Sequence, residues 1–227
     1  MTAVTAVAHR GDPYRHRENT LDSLRSALRR GADAVEVDVR LTRDGVPVLL
    51  HDGTLARLWE RDRPLAALTA QEVRELTAGG VPTLTEALAV TEGHRLMVDL
   101  PGEPSARAVR RVVETVRASG AADRVYYCAG AAAMLAVRAA DPAAEIALTW
   151  TTLAPPRPAL LDAVRPRWLN YRWSLVDRSL AERVHRDGRL LSVWTPDTRR
   201  SMRRLIAAGV DSITTNRVDV LRTLKSP

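Results

Sequence analysis

Glu36 and Asp38 stand two apart in the run AVEVDVR (34–40). On a strand, both side chains therefore leave from one face. Paired carboxylate oxygens suit a hard cation such as Mg²⁺ or Ca²⁺. The competing use is structural, as salt bridges to Arg10 or Arg40, because a buried charge needs a partner. Asp99, at the end of a later apolar run, offers a third oxygen donor. His9 and His51 close two further runs. Imidazole, with an ordinary pKa of about 6.5, is suited to moving protons near neutral pH. Carboxylates that bind a cation, flanked by two histidines, form an acid–base arrangement.

The strand carrying the carboxylates runs on through Leu41-Thr42 to Arg43-Asp44-Gly45-Val46, then returns as Pro47-Val48-Leu49-Leu50-His51. Asp-Gly signals a two-residue hairpin turn. A turn centred there pairs Asp38 with His51, with Cβ atoms roughly 4.5–5.5 Å apart. Upstream, Leu21, Leu24 and Leu28 share one face of a helix that follows Glu18-Asn19-Thr20, with Asn19 as the expected N-cap. His16, His94 and His185 read as solvated, and Cys128 as a small apolar core residue.

These residues need a scaffold, and the pattern supplies one. Strands are expected at 3–9, 34–40, 96–100, 125–129, 145–150, 168–172, 190–194 and 212–215. Helices are expected near 19–30, 84–92, 104–119, 131–140, 158–165, 178–187 and 198–208, with a short one from about 217. Strict alternation argues for a parallel sheet. Eight such repeats within 227 residues argue for one domain, 1–227, folded as a (β/α)₈ TIM barrel. An open doubly wound sheet is disfavoured, since no Gly-x-Gly-x-x-Gly turn follows the first strand. Segment 52–83, with a helix at 70–78, reads as a small insertion after the second barrel strand. In a barrel the chemistry belongs at the C-terminal strand ends, which places His9, Arg10, Glu36, Asp38, Asp99, Trp150, Tyr171 and Trp194 on one rim.

Composition narrows the function class. The chain has 34 basic and 27 acidic residues, a formal charge of +7. The arginines are scattered through helices, with no basic tail and no aromatic platform, so no nucleic-acid partner is expected. The excess positive charge suits attraction of anionic small molecules. No apolar run approaches the roughly 20 residues of a membrane span, so no membrane insertion is expected. MTAVTAVAHRG lacks the layout of a signal peptide. A single cysteine, Cys128, fits a reducing, cytoplasmic setting.

The stretches AHRG (8–11), ENT (18–20), VEVDVRLTRDGVPVLLHD (35–52), VPTLTEAL (81–88), VWTPDT (193–198) and GVDSITTNR (209–217) occur in that order. This ordered series resembles the glycerophosphodiester phosphodiesterase family over nearly the whole chain. The resemblance implies a TIM barrel that uses a divalent cation to hydrolyse glycerophosphodiesters to glycerol 3-phosphate and an alcohol. By motif match it implies His9 and His51 as general acid and base, in either order. It further implies Arg10 on the phosphate, Glu36, Asp38 and Asp99 on the metal, and Trp194 at the glycerol end. Segment 52–83 would be the small insertion that shapes the pocket.

The chain also departs from the family pattern. Where the family usually has Glu-x-Lys, this sequence has Asp99-Leu100-Pro101. The carboxylate is one methylene shorter, and Pro101 carries no charge. Arg172, at another strand end, is expected as the substitute cation on position alone. Pro196-Asp197 also stands where a small apolar residue and Asn are common. Two alternatives remain open: a related phospholipase-D-like enzyme, and a degenerate barrel that binds phosphodiesters without turning them over.

Overall fold

A computed structural model of the chain describes residues 4–225. It opens with β1 (Thr5–Ala8), α1 (Leu21–Arg29), β2 (Ala34–Leu41) and a short return strand β3 (Pro47–Leu49). Next come α2 (Ala56–Trp59), a 3-10 turn at Leu65–Ala67, α3 (Ala70–Leu76) and α4 (Leu84–Val90). Strand and helix then alternate as β4 (Arg95–Asp99), α5 (Ala106–Ala118), β5 (Val125–Ala129), α6 (Ala131–Ala140), β6 (Glu145–Trp150) and α7 (Pro158–Val164). The series ends with β7 (Trp168–Arg172), α8 (Arg178–Arg186), β8 (Leu190–Trp194), α9 (Arg199–Ala208), β9 (Ser212–Thr215) and α10 (Val218–Lys225). Position 3 of the expected first strand lies outside the described residues.

Among the described residues, eight strands pair in parallel from β1 through β2 and β4 to β9, and β9 pairs back onto β1. The sheet therefore closes into the expected TIM barrel. Alternation along each strand sorts the side chains. Val35, Val37, Leu96 and Val98 point outward and are buried under the helices. Val7, Ala34, Met97, Tyr126, Cys128, Ala147 and Trp168 form a separate apolar plug inside the barrel. At its base Glu145 accepts from Trp168 Nε1 at 2.7 Å and pairs with Arg95 at 2.8 Å. The plug gives the polar side chains above it a dry floor, which strengthens their electrostatic interactions.

Two local expectations fail. The hairpin register is β2 to β3 with Val39 opposite Leu49 and Arg40 opposite Val48, which puts Asp38 opposite Leu50 rather than His51. The two-residue type I′ turn that Asp-Gly favours needs positive φ at both central residues. Here only Gly45 adopts it, at φ +79°. Asp44 instead accepts hydrogen bonds from the Thr42 hydroxyl and from Ala70 N–H in the following segment. The loop therefore has three residues between Thr42 and Val46, and the pairing slips by one. His51 lies beyond the strand, where its carbonyl accepts from Arg40 Nε at 2.8 Å. Asn19 is likewise not the N-cap of α1. Thr20 is, accepting from Ser23 N–H, while Asn19 adopts φ +56° and turns its side chain into the barrel.

After β3, residues 52–83 build a satellite on the rim. Leu55, Leu65, Leu68, Val73 and Val81 join Val48 and Leu50 in an apolar cluster separate from the barrel core. Thr69 with Glu72 and Thr83 with Glu86 form capping boxes that start α3 and α4.

Candidate active site

A cavity of about 410 Å³ opens at the C-terminal mouth of the barrel. His9, Arg10, Glu36, Asp38, His51, Asp99 and Trp194 all line it. Arg172 does not. It ends β7 in register with Trp194, exposed on the rim.

The carboxylates meet because β2 and β4 are neighbours. Asp38 and Asp99 are partners in their register, and Glu36 lies two residues below Asp38 on the same face. Oxygen atoms of all three fall within 4.8 Å of one another. Glu36 accepts from the backbone N–H of Arg10 at 2.8 Å, and Asp38 lies 3.0 Å from Arg10 Nε. That guanidinium is shared with Glu18, to which Nη1 donates at 2.8 Å. Negative charge thus exceeds the positive charge beside it. Burial, then the neighbouring Asp38 and Asp99, push the Glu36 carboxyl well above its ordinary range. Burial and Asp38 raise Asp99 to about 7. A dication would relieve this repulsion, and the all-oxygen donor set suits a hard one. The residues fit a metal ion.

Local backbone geometry aims Arg10. Arg10 and Gly11 both have positive φ, at +56° and +88°. Ser23 fixes the bend from outside: its hydroxyl donates to Arg10 O at 2.9 Å and accepts from Asp12 N–H at 2.7 Å. A Cβ on Gly11 would lie 2.3 Å from Ser23 Oγ and 2.6 Å from its backbone carbon. Gly11→Ala is therefore expected to cost roughly 2–4 kcal/mol, from strain and overlap together. Urea unfolding checks this, and a loss within about 0.5 kcal/mol, the range of an inert surface change, would refute it.

Sequence reasoning missed the supports of this cluster. Asn19 forms a reciprocal pair with Asp38, donating Nδ2 to Oδ2 at 2.8 Å and accepting from Asp38 N–H at 3.1 Å. Asn is among the few residues that tolerate a left-handed backbone. His9 is held by a relay: Asp197 accepts from the Asn216 amide at 2.7 Å, and Asn216 Oδ1 faces His9 Nδ1 at 2.8 Å. Since the Asn amine is spent on Asp197, Nδ1 carries the proton and Nε2 keeps its lone pair, 3.9 Å from Glu36. Burial and Arg10 lower the His9 pKa, favouring the neutral ring. His51 Nδ1 is held by Asp52 at 2.7 Å. Arg57 of α2 donates to Asp52 at 2.6 Å and to Glu18 at 2.7 Å, and Glu18 in turn holds Arg10. The hydrogen bonds from Arg57 and His51 keep Asp52 ionised, with a pKa of about 2. An unbroken strut thus joins His51, Asp52, Arg57, Glu18 and Arg10.

The far wall is polar as well. Asn170 donates to Cys128 Sγ and Thr149 Oγ1, both at 3.2 Å. Cys128 is buried as expected, yet it lines the cavity. Among the described residues, Asn170 Oδ1, Ser192 Oγ, Trp194 Nε1 and Thr214 Oγ1 are buried without a hydrogen-bond partner. Such atoms are costly unless a ligand or water completes them.

The mouth of the closed barrel thus brings together a carboxylate cluster, the Arg10 guanidinium and two histidines. The sequence profile described as "Glycerophosphoryl diester phosphodiesterase family" matches residues 9–220. The chain belongs to this family. Within it, the chain is 27% identical over 243 residues to a glycerophosphodiester phosphodiesterase of Caldanaerobacter subterraneus, covering 96% of each. It is 36% identical over 107 residues to human glycerophosphodiester phosphodiesterase 1, a match that spans 42% of this chain and 32% of the human protein. Among solved structures, an Oleispira antarctica phosphodiesterase in complex with the product sn-glycerol-3-phosphate superposes with a TM-score of 0.86 at 25% identity, covering 99% of this chain and 98% of that one.

Proposed function

We propose that the protein hydrolyses glycerophosphodiesters to glycerol 3-phosphate and an alcohol. The observation that carries this reading is the meeting of Glu36, Asp38, Asp99, Arg10, His9 and His51 in one cavity. The product bound to the Oleispira relative supports it. Glu36, Asp38 and Asp99 would hold Mg²⁺ or Ca²⁺, which when bound neutralises charge on the phosphate oxygens. Arg10 adds planar donors to the same oxygens. His9, neutral and with Nε2 free, takes the proton from the attacking water. His51, at the open side of the mouth, gives one to the leaving alkoxide. Trp194 and the unpartnered atoms of Asn170 and Thr214 surround the glycerol. Arg172 meets the outer part of the substrate at the rim. The substrate is a small molecule, and the setting is cytoplasmic. Among the described residues no helix is long and apolar enough to cross a membrane.

One observation favours a second reading, a barrel that binds phosphodiesters without turnover: the uncharged Pro101 in the cavity wall. Release of glycerol 3-phosphate from glycerophosphocholine and glycerophosphoethanolamine, with Mg²⁺, Ca²⁺ or EDTA, decides between them. Cation-dependent release is expected. A folded, cation-loaded protein that binds glycerol 3-phosphate yet releases none would establish the second reading.

A further inference from the structure

Arg40 is a second arginine beside the mouth, and none of these steps uses it. It lies two residues beyond Asp38 on β2, so its side chain leaves from the face that carries the carboxylates. Nε is occupied, donating to His51 O at 2.8 Å. That bond fixes one edge of the guanidinium and turns the other towards the segment after β4. There a Cβ on Gly102 would stand 3.8 Å from Nη2 and 3.9 Å from Nη1. Arg40 itself lines an adjoining cavity that shares Pro101 with the catalytic one, Gly102 lines the catalytic cavity, and neither Pro101 nor Gly102 contributes a charge. Among the described residues, the two Nη groups have no hydrogen-bond or ion-pair partner. Arg10 differs, since its Nη1 and Nε are already engaged by Glu18 and Asp38. The positive charge of Arg40 also acts on Asp99, which places it beside the cation cluster.

We propose that Arg40 is the phosphate-binding cation on the β4 side of the site, gripping the substrate phosphate opposite Arg10. A guanidinium with both Nη groups free and its plane already fixed is preorganised for phosphate oxygens. Glycine at 102 puts no side chain of its own against the fork, and Pro101 is the wall that the two cavities share. The inference deepens the proposed function and rests on its phosphodiester substrate. It also accounts for how the site dispenses with a charge at Pro101.

The test is calorimetric titration of the Mg²⁺-loaded protein with sn-glycerol 3-phosphate, for wild type, Arg40→Ala, Arg40→Lys and Arg172→Ala. Turnover of glycerophosphocholine and the Mg²⁺-induced rise in Tm are measured alongside. Arg40→Ala is expected to weaken glycerol 3-phosphate at least about tenfold, as loss of a charge-assisted pair does, and to raise KM. Arg40→Lys recovers part of the affinity, since it restores the charge without the fork. The Mg²⁺ response persists in both variants, showing that the fold and the carboxylates are intact. Unchanged affinity in Arg40→Ala overturns the proposal, even if kcat falls, because a fall in kcat alone makes Arg40 a positioning residue for His51. A loss confined to Arg172→Ala overturns it equally and gives the role to the rim. Wild type that binds glycerol 3-phosphate but turns nothing over defeats the functional reading instead, while the affinities still decide Arg40.

Discussion

Replacing His51 by alanine lowers kcat for glycerophosphodiester hydrolysis by about 10²–10⁴-fold, the usual contribution of a positioned general acid or base. Stability barely changes. The His51 side chain is 42% exposed and sits in a loop beyond β3, so its removal opens no cavity in the core. An effect within about 0.5 kcal/mol is expected, as for other surface changes. KM and the Mg²⁺-induced rise in Tm also hold, because neither the carboxylates nor Arg10 depends on the imidazole. His9→Ala behaves differently. His9 is largely buried and anchored to Asn216, so its loss leaves the Asn216–Asp197 relay without its last member and lowers stability together with rate. Steady-state kinetics and thermal melts of the two variants separate these cases. A His51→Ala enzyme within about threefold of wild-type kcat would remove His51 from the chemistry, since general catalysis is worth far more than that.

The second large effect is the coupling of cation, pH and stability through Asp99. Its pKa rises from 3.8 to about 7 in the folded protein, because of burial and the neighbouring Asp38. A raised carboxyl contributes stability that is fully present below its unfolded pKa and is lost as pH rises through the folded one. The metal-free protein therefore loses stability between about pH 4 and pH 7, the interval spanned by the two values. A divalent cation binds the ionised form, offsets the repulsion and releases a proton as it does so. Mg²⁺ or Ca²⁺ accordingly raises Tm more at pH 8 than at pH 5, and EDTA reverses the rise. Asp99→Asn raises the Tm of the metal-free protein at pH 8 and loses most of the cation response. Melting curves at several pH values, with and without EDTA, measure both. An equal cation shift at pH 5 and pH 8, or a full shift in Asp99→Asn, would contradict this account.

How far the sequence foretells the site depends on the range of the interactions involved. Period-two alternation placed Glu36 and Asp38 on one face, and the repeating strand–helix pattern placed them at a barrel mouth. Both signals are local. Asn19 misled because the same short polar side chain suits an N-cap and a left-handed residue. Only its contact with Asp38 distinguishes the two, and that contact spans 19 positions. The hairpin slipped because Asp44 is committed to Ala70, 26 residues away. Glu18 and Arg57 look like any surface charges, and they meet across 39 residues. Cys128 reads as apolar on its own strand; its polar neighbours Thr149 and Asn170 come from the next two strands around the barrel.

The satellite of residues 52–83 gives the catalytic centre a seam. On one side lie the barrel's own groups, Glu36, Asp38, Asp99, Arg10 and His9. On the other, His51 and Asp52 lead into a unit with a small core of its own, stitched back to the barrel by Arg57 and Glu18. Small units of this kind open at lower free energy than the core they rest on. Opening the seam would disarm the protein by parting the two histidines while the barrel and its cation cluster stay assembled. In the proposed reaction, the same division would let drift within the satellite reshape the side from which the alcohol departs, with the carboxylate cluster left where the strands put it.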